Sequence, residues 1–147
     1  MTYNRCVGTR YCQNNCPYKV RRFNFFDNWK EYKDTQNMVW NPDVTVRSRG
    51  IMEKCSFCTQ RIVEAKGRAK DRGELVKDGA FKTACQQTCP TEAIVFGNIN
   101  DPSSGVSRQQ KDPRAFRVLE IQNTKPSISY LTKVRNIDEG MSHGEHH

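Results

Sequence analysis

Seven cysteines in 147 residues fall into two groups, and their spacing constrains this chain more than any other feature. The first group is Cys6, Cys12 and Cys16, followed directly by Pro17. The second is Cys55 and Cys58, then 26 intervening residues, then Cys85 and Cys89, followed directly by Pro90. Each group therefore ends on the same pattern, two cysteines separated by three residues with a proline at the exit. Short spacings let one loop wrap consecutive thiolates around the corners of a cubane. A cysteine one turn further along points elsewhere and serves a neighbouring cluster. The exit proline has no N–H and resists continuation of the helical turn.

The bacterial ferredoxin pattern is C-x2-C-x2-C-x3-C-P. The first group, CVGTRYCQNNCP, matches it at every ligand position but one: Thr9 stands where the second cysteine belongs. A threonine hydroxyl holds its proton far more tightly than a thiol and is a poor iron ligand. Either a three-iron cluster forms, a cube lacking one corner, or a four-iron cluster takes oxygen or water at that corner. The second group is the same pattern with an insertion between its second and third cysteines. Zinc is the rival metal, since paired cysteines also build structural zinc sites. The repeated C-x3-C-P pattern argues against it. Seven is odd, and cysteines on one turn pair poorly, which argues against a disulfide framework. No βαβ context accompanies CxxC, as thioredoxin-like redox chemistry would require.

The composition agrees with a fold held by something besides a core. Hydrophobic residues make up 35% of the chain and the mean hydropathy is −0.84, at the polar edge of globular proteins. The formal charge is +8. Thiolate-ligated clusters carry roughly −2 each, so two of them would leave about +4. Arg10, Lys19, Arg21 and Arg22 lie close in sequence to Cys12 and Cys16 and are candidates to moderate cluster charge. The alternative is a solvated basic face or pairing with an acidic neighbouring subunit. Basic residues are dispersed and no nucleic-acid-binding motif appears, so no nucleic-acid partner is expected. No apolar run approaches the length of a membrane span, and no signal peptide is visible.

Along the chain, VRRFNFFDNW at 20–29 is β-prone and NPD at 41–43 marks a turn. TQRIVEAKGRAKDR at 59–72 predicts a helix weakened by Gly67. A helical turn is expected at 82–89, a strand at 93–99 and a turn at DPSSG, 101–105. Residues 114–121 predict a short helix after Pro113, and 127–134 give mixed signals. The last dozen residues suggest a disordered tail, with His143, His146 and His147 as a frayed polar end rather than a metal site. The expected organisation is a cluster-binding domain at 1–100 with motifs at 6–17 and 55–90, an extension at 101–136 packing on a partner or an upstream part, and a tail at 137–147.

The segment CVGTRYCQNNCPYKVRRFN, with EKCSFCTQRI through CQQTCPTEAIVFG, resembles the iron–sulfur B-type subunits of the complex iron–sulfur molybdoenzymes. Nitrate, polysulfide and dimethyl sulfoxide reductases carry such subunits. In the nitrate reductase version a non-cysteine residue also replaces the second cysteine of this motif, and that cluster is the three-iron one. Within the group, GTRYCQNNCPYKVRRFNFF, MEKCSFCTQRI and KPSISYLTKVRN look most similar to the iron–sulfur subunit of Alternative Complex III, a bacterial membrane quinol oxidoreductase.

The resemblance implies four cysteine groups, of which this chain holds the last two. Carried over, Cys6 and Cys12 share the three-iron cluster with an upstream cysteine, and Cys16 completes the cluster of the preceding group. Cys55, Cys58 and Cys85 take a fourth ligand from the first group, whose own cluster Cys89 completes. The chain would then be the C-terminal part of a longer or split protein. As a lone ferredoxin, Cys16, Cys55, Cys58 and Cys85 would instead hold a [4Fe-4S] cluster, and Cys6, Cys12 and Cys89 a [3Fe-4S] cluster. Either way the expected fold is α+β, ferredoxin-like and loop-rich. The expected role is electron transfer as a subunit, with no catalysis by the chain alone. The expected partners are an integral membrane quinol-binding subunit, a cytochrome c subunit and an upstream iron–sulfur half. The expected location is peripheral, on the periplasmic face of the cytoplasmic membrane, held there by those partners. A stand-alone ferredoxin and a zinc-stabilised interaction module are the alternatives.

Overall fold

The computed structural model describes residues 1–135; the expected tail at 137–147, with its three histidines, lies outside them. Two compact units divide the chain between Thr88 and Cys89, inside the second cysteine group. Secondary structure is short and mixed. Among the described residues the buried apolar side chains are Met52, at 1% exposure, and Ala69, at 3%. So small a core leaves the cost of ordering the chain largely unmet by apolar burial. That agrees with the expectation that something besides a core holds the fold.

The first unit, Met1–Thr88, contains α1 (Tyr11–Asn14), β1 (Arg22–Phe23), α2 (Asp34–Asn37), β2 (Met52–Glu53), α3 (Thr59–Asp71) and α4 (Ala84–Thr88). β1 and β2 pair antiparallel, Arg22 opposite Glu53 and Phe23 opposite Met52. The strand expected across 20–29 is thus confined to two residues. Asn24 exchanges main-chain hydrogen bonds with Ile51 and Gly50, and then Asp27 accepts the Arg49 N–H at 2.6 Å and turns the chain away. That N–H, with Lys30, holds the Asp27 carboxyl below its usual range. Gly8, at φ +73°, lies against this strand pair: a Cβ there would sit 2.2 Å from the Gly50 carbonyl oxygen. Only glycine fits so close an approach in the left-handed region.

The helix expected at 59–72 is present as α3. Its end is a Schellman turn: Gly73 N–H bonds to the Lys70 carbonyl and Glu74 N–H to that of Ala69, with Gly73 at φ +68°. The helical turn expected at 82–89 is α4.

The second unit begins at Cys89 and contains α5 (Gly105–Gln110), β3 (Ala115–Phe116) and β4 (Tyr130–Leu131). Residues 93–99 form no strand, contrary to expectation. Among the described residues no strand lies beside this segment to pair with it. The turn at 101–105 launches α5, because the Ser104 hydroxyl accepts the Ser107 N–H at 3.2 Å as a helix cap. The helix expected at 114–121 is also absent. Asp112 captures the Arg114 N–H at 2.8 Å and its carbonyl takes that of Ala115. The chain therefore leaves extended, as β3. β3 pairs antiparallel with β4, which resolves the mixed signals of 127–134 as strand. No helix of the described residues is long and apolar enough to cross a membrane.

Candidate metal centre

None of the seven cysteines is in a disulfide. The first group lies on the loop that ends in α1. Cys6 precedes the tight turn at Gly8, Cys12 is the second residue of α1, and Cys16 follows its end. The main-chain N–H of the buried Met52 donates to the Cys6 sulfur at 3.3 Å and ties this loop to β2. Cys16 is held below the usual thiol range by the N–H groups of Val20, Tyr18 and Lys19 and by the charge of Arg21.

In the second group, Phe57 and Cys58 both take left-handed backbone, at φ 57° and 55°. This tight turn brings the Phe57 N–H within 3.4 Å of the Cys55 sulfur. It also sets Cys58 at the N-terminus of α3. The long insertion then returns: the Ala84 N–H reaches the Cys58 sulfur at 3.3 Å. Arg61 secures the return by donating to the Lys82 carbonyl at 2.6 Å and to the Gln87 side chain at 2.9 Å. The Thr83 hydroxyl lies 3.2 Å from the Cys85 sulfur. In the second unit the Thr91 hydroxyl lies 3.4 Å from the Cys89 sulfur. That contact, followed by N–H groups of residues 91, 93 and 94, holds the Cys89 thiol below its usual range.

Thr9 is exposed. It follows Gly8 at φ +73° and precedes Arg10 at φ +62°, whereas Cys58 is itself left-handed at φ +55°, so spacing rather than backbone conformation equates the two positions. Of the basic residues, Arg10 lies over the Phe23 ring at 5.1 Å. Lys19 donates to the Asn14 carbonyl at 3.3 Å and Arg22 to that of Lys19 at 2.7 Å. Arg21 contacts the Met1 sulfur at 3.4 Å and adds its charge to Cys16. Sequence reasoning missed Met52, Ala84 and Arg61, whose roles arise only when distant segments meet. Thr83 carried a legible signal, T-x-x-Q to Gln86, a capping-box pattern.

Among the described residues, no three cysteine, histidine or acidic side chains are gathered into a metal-holding group. The donor set nevertheless fits iron–sulfur chemistry in kind. It consists of free thiols, five of them with an N–H or O–H group at hydrogen-bonding distance from sulfur. Donors of this kind stabilise a thiolate that is giving charge to iron.

No protein-family model matches the chain. Among curated proteins it is 43% identical to the menaquinone reductase iron–sulfur cluster-binding subunit of Nitratidesulfovibrio vulgaris, over 89% of this chain and 52% of the relative. It is 37% identical to the Hdr-like menaquinol oxidoreductase iron–sulfur subunit 1 of Archaeoglobus fulgidus, over 86% of this chain and 43% of the relative. It is 30% identical to a sulfite dehydrogenase subunit of Allochromatium vinosum, over 89% of this chain and 43% of the relative. The chain spans about half the length of these relatives.

Proposed function

We propose that this chain, which belongs to the iron–sulfur subunit family of quinol-linked oxidoreductases and complex iron–sulfur molybdoenzymes, carries electrons within a membrane-associated quinol oxidoreductase complex. It performs no catalysis alone. The observation that carries this reading is the pair of C-x3-C-P groups with every cysteine free. Two of the relatives are named for menaquinone or menaquinol, which supports the quinol-linked assignment.

When bound, iron–sulfur clusters supply one-electron carriers whose potentials respond to charge, hydrogen bonding and burial. Cys6, Cys12, Cys16, Cys55, Cys58, Cys85 and Cys89 are the ligands in this reading, in a ferredoxin-like α+β frame. One cluster is [3Fe-4S], at the loop carrying Thr9, and the remainder are [4Fe-4S]. Met52, Phe57 and Ala84 direct main-chain N–H groups at ligand sulfurs. Such groups draw charge from sulfur and favour the reduced state.

The partners in this reading are an integral membrane quinol-binding subunit, a cytochrome c subunit and the iron–sulfur half that supplies the remaining ligands. The complex holds the chain at the periplasmic face. Exposed Phe25, Phe26, Val39 and Ile121 are apolar surface of the kind a neighbouring subunit covers.

The experiment is anaerobic purification of the complex with analysis of iron, acid-labile sulfide and zinc. The reading predicts brown protein with iron and sulfide in comparable amounts. Stoichiometric zinc without labile sulfide contradicts it and favours an interaction module.

A further inference from the structure

Thr83 is 2% exposed, and few of the described residues are buried this completely. It caps α4 twice over: its carbonyl accepts the Gln87 N–H at 2.9 Å and its hydroxyl oxygen accepts the Gln86 N–H at 3.4 Å. The hydroxyl therefore has its oxygen engaged and its proton left to place. The Cys85 sulfur lies 3.2 Å away.

Which atom donates follows from ligation. A cysteine bound to iron is a thiolate and has no proton. The Thr83–Cys85 contact then has one possible direction, from hydroxyl to sulfur. Charge-assisted hydrogen bonds of this kind are stronger than neutral ones, and although Cys85 is exposed, the buried Thr83 side chain is held in place as its donor. Thr91 supplies the contrast. Its hydroxyl also meets a cysteine sulfur, at 3.4 Å from Cys89, but Thr91 is exposed and water can take its place.

We propose that Thr83 sets the potential of the cluster that Cys85 holds, by donating its hydroxyl proton to the Cys85 sulfur. This rests on the cluster-binding reading above. Thr83 acts through Cys85 and is a positioning residue, not a ligand. The donated bond withdraws negative charge from sulfur, so it stabilises the state with the added electron and raises the potential. The N-cap makes the bond durable: the same hydroxyl that tunes the sulfur also starts the helix on which Cys85 is the second residue.

The test is a redox titration, followed by electron paramagnetic resonance, of the intact complex carrying Thr83→Val, Thr83→Ala or Thr83→Ser. Iron and labile sulfide are measured on each sample. Val and Ala remove the hydroxyl; Ser keeps it and loses only the methyl. The expected result is a several-fold shift against reduction of one cluster in Val and Ala, and a midpoint near wild type in Ser. A tenfold shift corresponds to about 59 mV for one electron. Clusters present with the wild-type midpoint in Val and Ala would overturn the proposal and leave the cluster reading standing. Loss of the cluster from both, with retention in Ser, would make Thr83 a determinant of folding and overturn the tuning role. Absence of iron and sulfide from the wild-type complex would remove the cluster reading, and this proposal with it.

Discussion

The main-chain N–H of Ala84 lies 3.3 Å from the sulfur of Cys58, 26 residues earlier in the chain. This bond closes the insertion that separates the two halves of the second cysteine group. It brings the start of α4, with Cys85, back to the start of α3.

Ala84→Pro tests that bond by itself. Ala84 is the first residue of α4, the one helical position where proline is well tolerated. The variant removes the N–H and keeps the helix. The expected outcome is a loaded cluster with a lower midpoint, since a donor to a ligand sulfur has gone. An unchanged midpoint in the redox titration would assign the N–H a purely structural role.

Arg61→Ala cuts the two bonds that fasten α3 to the residues flanking Cys85. Both are exposed, so the loss in stability should be small, about 1 kcal/mol. The larger effect should be kinetic, with faster iron release under air than in the wild type. Iron release followed by chelator absorbance checks this.

Gly8→Ala and Gly79→Ala form a matched pair. Both glycines have positive φ, at 73° and 75°, but only Gly8 faces a backbone atom within clashing distance. Alanine at position 79 should cost about 1 kcal/mol, the strain of left-handed backbone. At position 8 the clash with Gly50 adds to that strain, and the total should reach roughly 2–4 kcal/mol. Thermal unfolding of the two variants should therefore separate them, with iron loss confined to Gly8→Ala.

These devices were unevenly legible in the sequence. The α3 helix could be read because Ala, Glu, Lys and Arg, all strong helix formers, make up much of it; local preference decides such a segment. The segment 93–99 could not. AIVFGNI has strand composition, yet no strand of the described residues pairs with it. Local side-chain competition erased the helix at 114–121, where Asp112 takes the N–H groups a first turn would leave free. The cysteine ligands were legible because spacing alone carries them. The donors to their sulfurs were not, since Met52 lies 46 residues from Cys6 and meets it only through the β1–β2 pairing.

Thr9→Cys restores the full C-x2-C-x2-C pattern without lengthening the loop. The wild-type complex, mildly oxidised, should show the paramagnetic signal of a three-iron cluster. The variant should lose that signal, assemble a four-iron cluster at the same site and show a lower potential there. Persistence of the signal in the variant would mean that Thr9 is not at the open corner.

Arg21→Gln should lower the potential of the cluster that Cys16 helps to hold, because a positive charge felt at that sulfur is removed. Arg10→Gln removes a charge that lies over the Phe23 ring. It should shift the potential less. Equal shifts in the two titrations would show that proximity in sequence, and not the charge of Arg21 at Cys16, decides.

The claim that this chain conducts electrons in a quinol-linked complex is tested most directly by mixing the oxidised complex with menaquinol, freezing at millisecond intervals and recording electron paramagnetic resonance spectra. The account predicts that reduced-cluster signals appear within one turnover and decay when an oxidant for the complex is added. Clusters that stay oxidised while the complex turns over would contradict it.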